Sequence, residues 1–243
     1  MTGPPLLELS AVTKRFGGLT AVKDLSMSVH RGEIVGLIGP NGAGKTTIFN
    51  VITGVYRPDS GTVTVAGERV DGLARYRIAR RGVRRTYQIV RPFADMSVLE
   101  NVLVGALFGE AQGQEEAEHK AREVAAFMGL TGREDEPAAT LNLGEKKRLE
   151  IARALAADPQ LLLLDEALSG LTPREIDVAS DTISRIRTEL GKTIVIVEHV
   201  MRAIMAISDR IVVLHHGEKI ADGAPQDVRR DRQVIEAYLG ESA

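Results

Sequence analysis

The stretch GPNGAGKTT, residues 39–47, constrains this chain more than any other, because it stands between an apolar run, EIVGLIG, and the helix-like IFNVITG. Gly39, Pro40, Asn41, Gly42, Ala43, Gly44, Lys45 and Thr46 fit the pattern G-x-x-x-x-G-K-[ST]. Glycines at those spacings let successive backbone N–H groups wrap a phosphate. The lysine then supplies a cation to the β- and γ-phosphate oxygens, and the hydroxyl after it suits Mg²⁺. Thr47 closes this stretch and is counted with it among the phosphate-binding residues. A buried strand, a glycine-rich loop and a helix closed by Gly54 make a βα phosphate unit, which belongs in an open α/β sheet.

Around this unit the pattern changes. From Leu6 to about Val35, and again over GTVTVAGERV at residues 61–70, short apolar stretches are broken by glycine and charged turns. That predicts an antiparallel β-layer near the phosphate-binding strand. Residues from about 92 to 140 read as helical. Ser97 with Glu100 forms a capping box ahead of VLENVLVGALF, and QEEAEHKAREVAAFMGL is an amphipathic helix ended by Gly129. An α/β rhythm then returns: LLLLDE and TIVIVEH suit a parallel sheet buried on both faces, and RIVVLHHGEKIADG reads as a hairpin turning at His216 and Gly217.

Leu161 to Leu164 would deliver Asp165 and Glu166 to the C-terminal end of a strand, where ligands sit in open α/β sheets. Asp165 suits the outer shell of Mg²⁺, and Glu166 suits a general base toward an attacking water. A second anion-attracting feature lies upstream, in LNLGEKKRLEIARAL at residues 141–155. There Asn142 and Glu145 read as a capping box, so free backbone N–H groups cluster at that helix N-terminus. A domain of this size seldom needs two phosphate sites for one ligand, so the second one needs a different owner.

GPNGAGKTT, Gln88, LNLGEKKRLEIARAL, LLLLDEALSGL and IVIVEH, in that order and spacing, resemble the ATPase subunit of an ATP-binding cassette (ABC) transporter over about residues 6–240. The stretch FGGLTAVKDLSMSVHRGE and the terminal VIEAYLGE are most similar to the branched-chain amino-acid importer branch. The resemblance implies an α/β fold: a P-loop NTPase (RecA-like) core with an antiparallel β-subdomain and an all-helical subdomain. Residues 6–91 and 156–240 would form the first two, and residues 92–155, signature helix included, the third. It also implies ATPase subunits paired head to tail, so that Asn142, Gly144 and Glu145 touch the nucleotide of a second ABC ATPase subunit. Asn142, Leu143 and Glu145 depart from the common LSGGQ. Gln88 matches the glutamine that approaches Mg²⁺ and links nucleotide to the membrane subunit. His199 matches the histidine that meets the γ-phosphate, and Phe16 the aromatic that stacks on adenine. Ala167 stands where Pro is frequent, and Thr172 where an Asp is usual.

On this resemblance the chain is expected to be an ATP-hydrolysing motor subunit that uses ATP and Mg²⁺ to energise solute import. Branched-chain amino acids are the first cargo, with urea, short amides and other amino acids as alternatives. Its expected partners are the second ATPase, two transmembrane permease subunits and, indirectly, an extracytoplasmic solute-binding protein. The rival is a soluble ABC ATPase acting on nucleic acid or ribosomes. Such machines carry long heptad segments or two cassettes, and a polyanion partner leaves a basic imprint. This chain has neither feature, and 33 acidic against 31 basic residues give it a net charge of -2. No nucleic-acid partner is therefore expected. Zero cysteines exclude disulfides and thiol catalysis. MTGPPLLELS carries no leader pattern, and no apolar run approaches the ~20 residues of a membrane-crossing helix. The expectation is a cytoplasmic chain, peripheral on the inner face of the membrane through its permeases.

Overall fold

The computed structural model describes residues 3–109 and 113–239. Met1 and Thr2, residues 110–112 of the helical stretch, and Gly240 and Glu241 of VIEAYLGE lie outside the described residues. Strands β1 (Leu7–Phe16) and β2 (Leu19–Val29) lead into β3 (Ile34–Ile38), which feeds helix α1 (Lys45–Ile52). Strands β4 (Ser60–Val65) and β5 (Glu68–Arg69), helix α2 (Arg75–Ala79) and strand β6 (Val83–Arg85) follow. Helices α3 (Val98–Leu107), α4 (Gln114–Phe127) and α5 (Leu143–Ala156) come next. The chain continues through β7 (Leu161–Asp165), α6 (Pro173–Leu190), β8 (Thr193–Val197), α7 (Met201–Ile207), β9 (Arg210–His215) and β10 (Glu218–Gly223). It ends in α8 (Pro225–Val228) and α9 (Arg232–Leu239).

Two sheets result. One has the order β10-β9-β3-β8-β7-β6, parallel from β9 to β6 with β10 antiparallel at the edge. The other is antiparallel, in the order β2-β1-β4-β5. Every residue of IVGLI, LLLLD and TIVIV is buried, as a parallel sheet covered on both faces requires. Side chains alternate across such a sheet, and the two parities enter two cores. Leu162, Leu164, Ile194, Ile196, Ile211 and Val213 pack with the helices from α3 to α7. Leu161, Leu163, Val195, Val197, Val212 and Leu214 pack with Ile48, Phe49 and Ile52 of α1 and with Leu7, Leu9, Val63 and Val65 of the antiparallel sheet. The hairpin turns where expected, with His216 and Gly217 both at positive φ and His215 opposite Glu218.

The helices follow their expected caps. Ser97 Oγ accepts from Glu100 N at 3.1 Å while Glu100 returns a bond to Ser97 N at 2.6 Å. Ala117, Ala121, Val124 and Ala125 form the buried stripe of α4, and Gly129 follows the helix at φ 66°. Asn101 on α3 is fully buried, yet its amide accepts from Phe93 N and donates to the carbonyls of Phe93 and Ser97, which fixes the loop entering the helix. Helix α2 and strand β6 have no counterpart in the sequence reading. RYRIARRGVRR has no apolar period, and β6 exists through its parallel pairing to β7, Val83 opposite Leu161.

Glu150 joins α5 to this sheet edge by accepting from Tyr87 N at 2.8 Å. It is 7% exposed, and burial pushes its carboxyl above the ordinary value of 4.5, against the opposing pull of the Tyr87 N–H, Arg153 and Lys147. The fold therefore disfavours the ionised form. The stability linked to this group is intact below about pH 4.5 and is lost as pH rises through the raised value. Glu150→Gln keeps an oxygen for Tyr87 N and does not titrate. Its urea midpoint should gain on the wild type as pH rises from 4 to 8, levelling off once Glu150 is ionised. A midpoint difference independent of pH would remove the burial argument.

Candidate functional site

The sheet register gathers the chemistry at one edge. Leu37 lies opposite Val197, and Val197 opposite Asp165, so β3, β7 and β8 end at one depth. Beyond those ends come the phosphate loop, Glu166, and Glu198 with His199. This is the edge where open α/β sheets bind ligands.

Two glycines in the loop are dictated by contact. Gly39 and Gly44 have φ of 150° and 102°, and a Cβ at either would strike backbone, the Leu214 carbonyl at Gly39 and the Ala21 carbonyl at Gly44. Only glycine lets the loop nest between β9 and β2 in that conformation. Gly44 leaves the α1 N-terminus without a side-chain cap, and no acid occupies its first turn. An anion is the natural partner of such a terminus. Lys45, 7% exposed, curls back so that Nζ donates to the carbonyls of Gly39 at 2.5 Å and Pro40 at 2.8 Å. The ammonium is thus anchored to the loop. Thr46 lines a cavity of about 530 Å³ together with Gln88 and Asp165. Hydroxyl, amide and carboxylate oxygens form the hard donor set that Mg²⁺ takes. The residues therefore fit that ion chemically. Among the described residues no group of three or more His, Cys, Asp or Glu could hold a metal, and Mg²⁺ bound through one or two side chains plus phosphate needs none.

Glu166 is the meeting point of residues far apart in sequence. Gln88 Nε2 donates to Glu166 Oε2 at 2.8 Å, and His199 Nε2 lies 3.2 Å from Glu166 Oε1. Ser169 Oγ donates to Oε2 at 3.3 Å. Glu166 itself stands at φ 49°, a conformation few non-glycine residues adopt and one that costs on the order of 1–3 kcal/mol. Its backbone is held from two sides, by Glu166 N donating to Val197 O at 2.9 Å and by Lys147 Nζ donating to Glu166 O at 2.6 Å. Beneath it lies Glu198, 1% exposed, accepting from Leu168 N at 2.5 Å and His199 N at 3.2 Å. Burial pushes the Glu198 carboxyl up and the Lys147 ammonium down, with each opposing the other's shift by charge.

Ser169, Lys147 and Glu198 escaped the sequence reading. Only Glu198 left a signal there, an acid ending an otherwise apolar strand. Arg85 escaped it too: its guanidinium donates from Nη2 to Asp165 Oδ2 and from Nη1 to Asn50 Oδ1, both at 2.6 Å. Phe16, at the end of β1, is 41% exposed, with the Tyr56 ring edge-on at 5.0 Å and Lys14 Nζ 5.5 Å from its centroid. It is a surface aromatic, not a side chain of the β-layer core.

The structure places Asn142, Gly144 and Glu145 elsewhere, around a second cavity of about 190 Å³ bordered also by Arg148 and Glu175. Asn142 Oδ1 accepts from Glu145 N, and Glu145 Oε2 accepts from Asn142 N, both at 2.9 Å. Glu145 Oε1 is held by Arg133 Nη1 at 2.8 Å. The expected cap is formed, and both the carboxylate and the N–H of Glu145 are engaged within it. Thr172 caps α6 in the same manner with Glu175.

Comparison with known proteins shows the family of this fold. Residues 22–169 match the ABC transporter family, and residues 218–243 match the branched-chain amino acid ATP-binding cassette transporter family. The chain is 42% identical to the high-affinity branched-chain amino acid transport ATP-binding protein BraF of Pseudomonas aeruginosa, covering 98% of this chain and 99% of the relative. It is 41% identical to LivG of Escherichia coli over the same shares. Among solved structures, the ADP conformation of MJ1267, an ATP-binding cassette of an ABC transporter, superposes with a TM-score of 0.88 at 29% identity, over 98% of this chain and 100% of that one. With its phosphate loop, paired acids and strand-end histidine set on that scaffold, the chain belongs to the ABC transporter family, in the branch of the branched-chain amino acid ATP-binding proteins.

Proposed function

We propose that the chain is the ATP-hydrolysing motor subunit of an importer for branched-chain amino acids. The observation that carries the reading is the Glu166 carboxylate, held by Gln88 and His199 one residue beyond Asp165 and beside the phosphate loop. Nucleotide phosphates would take the α1 N-terminus, the loop N–H groups and the Lys45 ammonium, while Phe16 offers an exposed ring to adenine. Thr46, Asp165 and Gln88 would hold Mg²⁺, whose charge offsets that of the phosphates. Glu166 accepts the proton of the attacking water. Gln88 and His199 fix its two oxygens in different directions, so little reorientation remains at the moment of attack. His199, at the same strand end, would meet the γ-phosphate as charge develops there.

The partner arrangement is part of the proposal. The α5 N-terminus, capped by Asn142 with Gly144 beside it, would face the nucleotide of a second ATPase subunit, identical or related. Glu145 supports that terminus from within. Two permease subunits would carry the solute path, since no helix among the described residues is long and apolar enough to cross a membrane. An extracytoplasmic solute-binding protein would deliver cargo, and the chain would lie peripherally on the cytoplasmic face. Residues 92–155 would act as the helical subdomain and the remainder of 6–240 as the ATP-binding core with its β-subdomain.

Lys45→Ala should sharply weaken ATP binding, whereas Glu166→Gln should bind ATP normally and lose roughly 10²-fold or more in turnover. His199→Ala should also slow turnover with affinity nearly unchanged. Equal loss of ATP binding in the Lys45 and Glu166 variants would dissolve the division between binding and hydrolysis. The transport reading is tested with the chain assembled with its permeases in vesicles. Leucine, isoleucine or valine presented on the binding protein should stimulate ATPase activity and accumulate inside. Stimulation by urea or a short amide, with none by these amino acids, would reassign the cargo.

A further inference from the structure

We propose that Arg85 is a positioning residue for the metal-binding carboxylate: it locks Asp165 to helix α1 and to the strand entering the Gln88 loop, and so sets how readily the site takes Mg²⁺. The inference rests on the reading of Asp165 as a Mg²⁺ group. Arg85 closes β6, with its backbone opposite Leu163, two residues before Asp165 on the neighbouring strand. From there one guanidinium joins three elements. Nη2 reaches Asp165 Oδ2 and Nη1 reaches Asn50 Oδ1 on α1, each at 2.6 Å. The rings of Phe49, on α1, and Tyr87, next to Gln88, flank it with centroids 5.4 and 5.1 Å away.

The Arg85 and Asp165 side chains are 6% and 5% exposed, so the pair is shielded from water. Arg85 Nε is buried with no hydrogen-bond partner among the described residues. The hydrogen bonds of the guanidinium fall on its two terminal nitrogens. The arrangement serves the fork, which a guanidinium provides and an ammonium does not: two donors in a fixed plane, aimed at two acceptors on different elements. Asp165 is thereby held from the side-chain end by Arg85 while its N–H donates to Thr86 Oγ1 at 3.2 Å. Both anchors come from the segment that leads directly into Gln88. A carboxylate oriented this way meets the ion without searching for its rotamer, the usual effect of an outer partner on a metal ligand.

Arg85→Lys separates geometry from charge, because it keeps the cation and loses the fork. The full chain, saturated with a fluorescent ATP analogue in EDTA, is titrated with Mg²⁺ and the nucleotide signal followed, with no turnover required. Arg85→Lys should bind nucleotide in EDTA as the wild type does and need about 10-fold more Mg²⁺ at the midpoint. Asn50→Ala, which removes one anchor and leaves the ion pair, should shift the midpoint the same way by a smaller factor. An unchanged or lowered midpoint in folded Arg85→Lys overturns the proposal. If that variant does not fold, an unchanged midpoint in Asn50→Ala overturns it. Asp165→Asn is the control for the underlying reading: no Mg²⁺ shift there sinks the metal role of Asp165 and this inference with it, whereas a shift there with none in Arg85→Lys sinks the inference alone.

Discussion

Everything at this site depends on the depth at which three buried strands end. A parallel sheet covered on both faces has no register to spare, since a slip of one residue would exchange the side chains of the two cores. Leu162, Ile194 and Ile211 would leave the helices, and Leu163, Val195 and Val212 would leave α1 and the antiparallel sheet. A slip would leave these side chains buried but misfitted against the other core, at typically about 1–3 kcal/mol for each overpacked or misshapen contact, so even one strand is held in register. The alignment of Leu37, Val197 and Asp165 is thereby fixed, and with it the separation of loop, acid and histidine. Precision in the site is inherited from apolar packing that touches no ligand.

That edge then gathers more ionisable side chains than a buried sheet end ordinarily tolerates. Asp165, Glu150 and Glu198 are each less than a tenth exposed, with Lys45 and Lys147 similarly covered. A buried ion pair yields little net stability, but removing one member costs about 3–5 kcal/mol, because it strands the other charge. Arg85 with Asp165 is such a pair. The same logic binds Lys147 to its surroundings: desolvation lowers its affinity for the proton, while Glu198, Glu150 and Glu166 oppose the shift. Its bond to the Glu166 carbonyl ties the helix that starts at Asn142 to the backbone of Glu166. Helix α5 and the Glu166 carboxylate are therefore parts of one packed unit.

What could be read from the sequence was whatever local pattern determines. The phosphate loop, the strands IVGLI, LLLLD and TIVIV, the capping boxes at Ser97 and Asn142 and the turn at His216 each follow from residues within a few positions of one another. Gln88 and His199 became site candidates through resemblance, and only the fold shows them bonded to one carboxylate. Arg85, Lys147 and Ser169 carried no signal. Arg85 is one of several arginines in RYRIARRGVRRTY, and what distinguishes it is the pairing of β6 with β7, a contact between segments nearly eighty residues apart. Lys147 is distinguished in the same way, by the packing of α5 beneath the end of β7. A long polar side chain declares its role only when a distant backbone atom arrives within reach.

The departures of this chain from the common signature acquire a local logic in the same terms. Asn142 and Thr172 both sit at helix N-caps, and each is answered three residues later by an acid, Glu145 and Glu175, that bonds back to the cap N–H. A capping box stabilises its helix by roughly 0.5–2 kcal/mol, and the two residue pairs are thus explained without a partner. The same engagement shapes what a partner could meet. The Glu145 carboxylate, which would repel a phosphate if free, is turned inward to Asn142 N and Arg133. Glu175 is bonded to Thr172, so that its charge too is drawn toward a helix terminus, even though its Oε1 would lie 2.9 Å from a Cβ added at Gly144. The two acids beside Gly144 are thus each held by the capping hydrogen bonds of their own helix. Glu145, standing where an amide is common, therefore has a full set of local partners, and the fold of this chain accounts for it through its own hydrogen bonds.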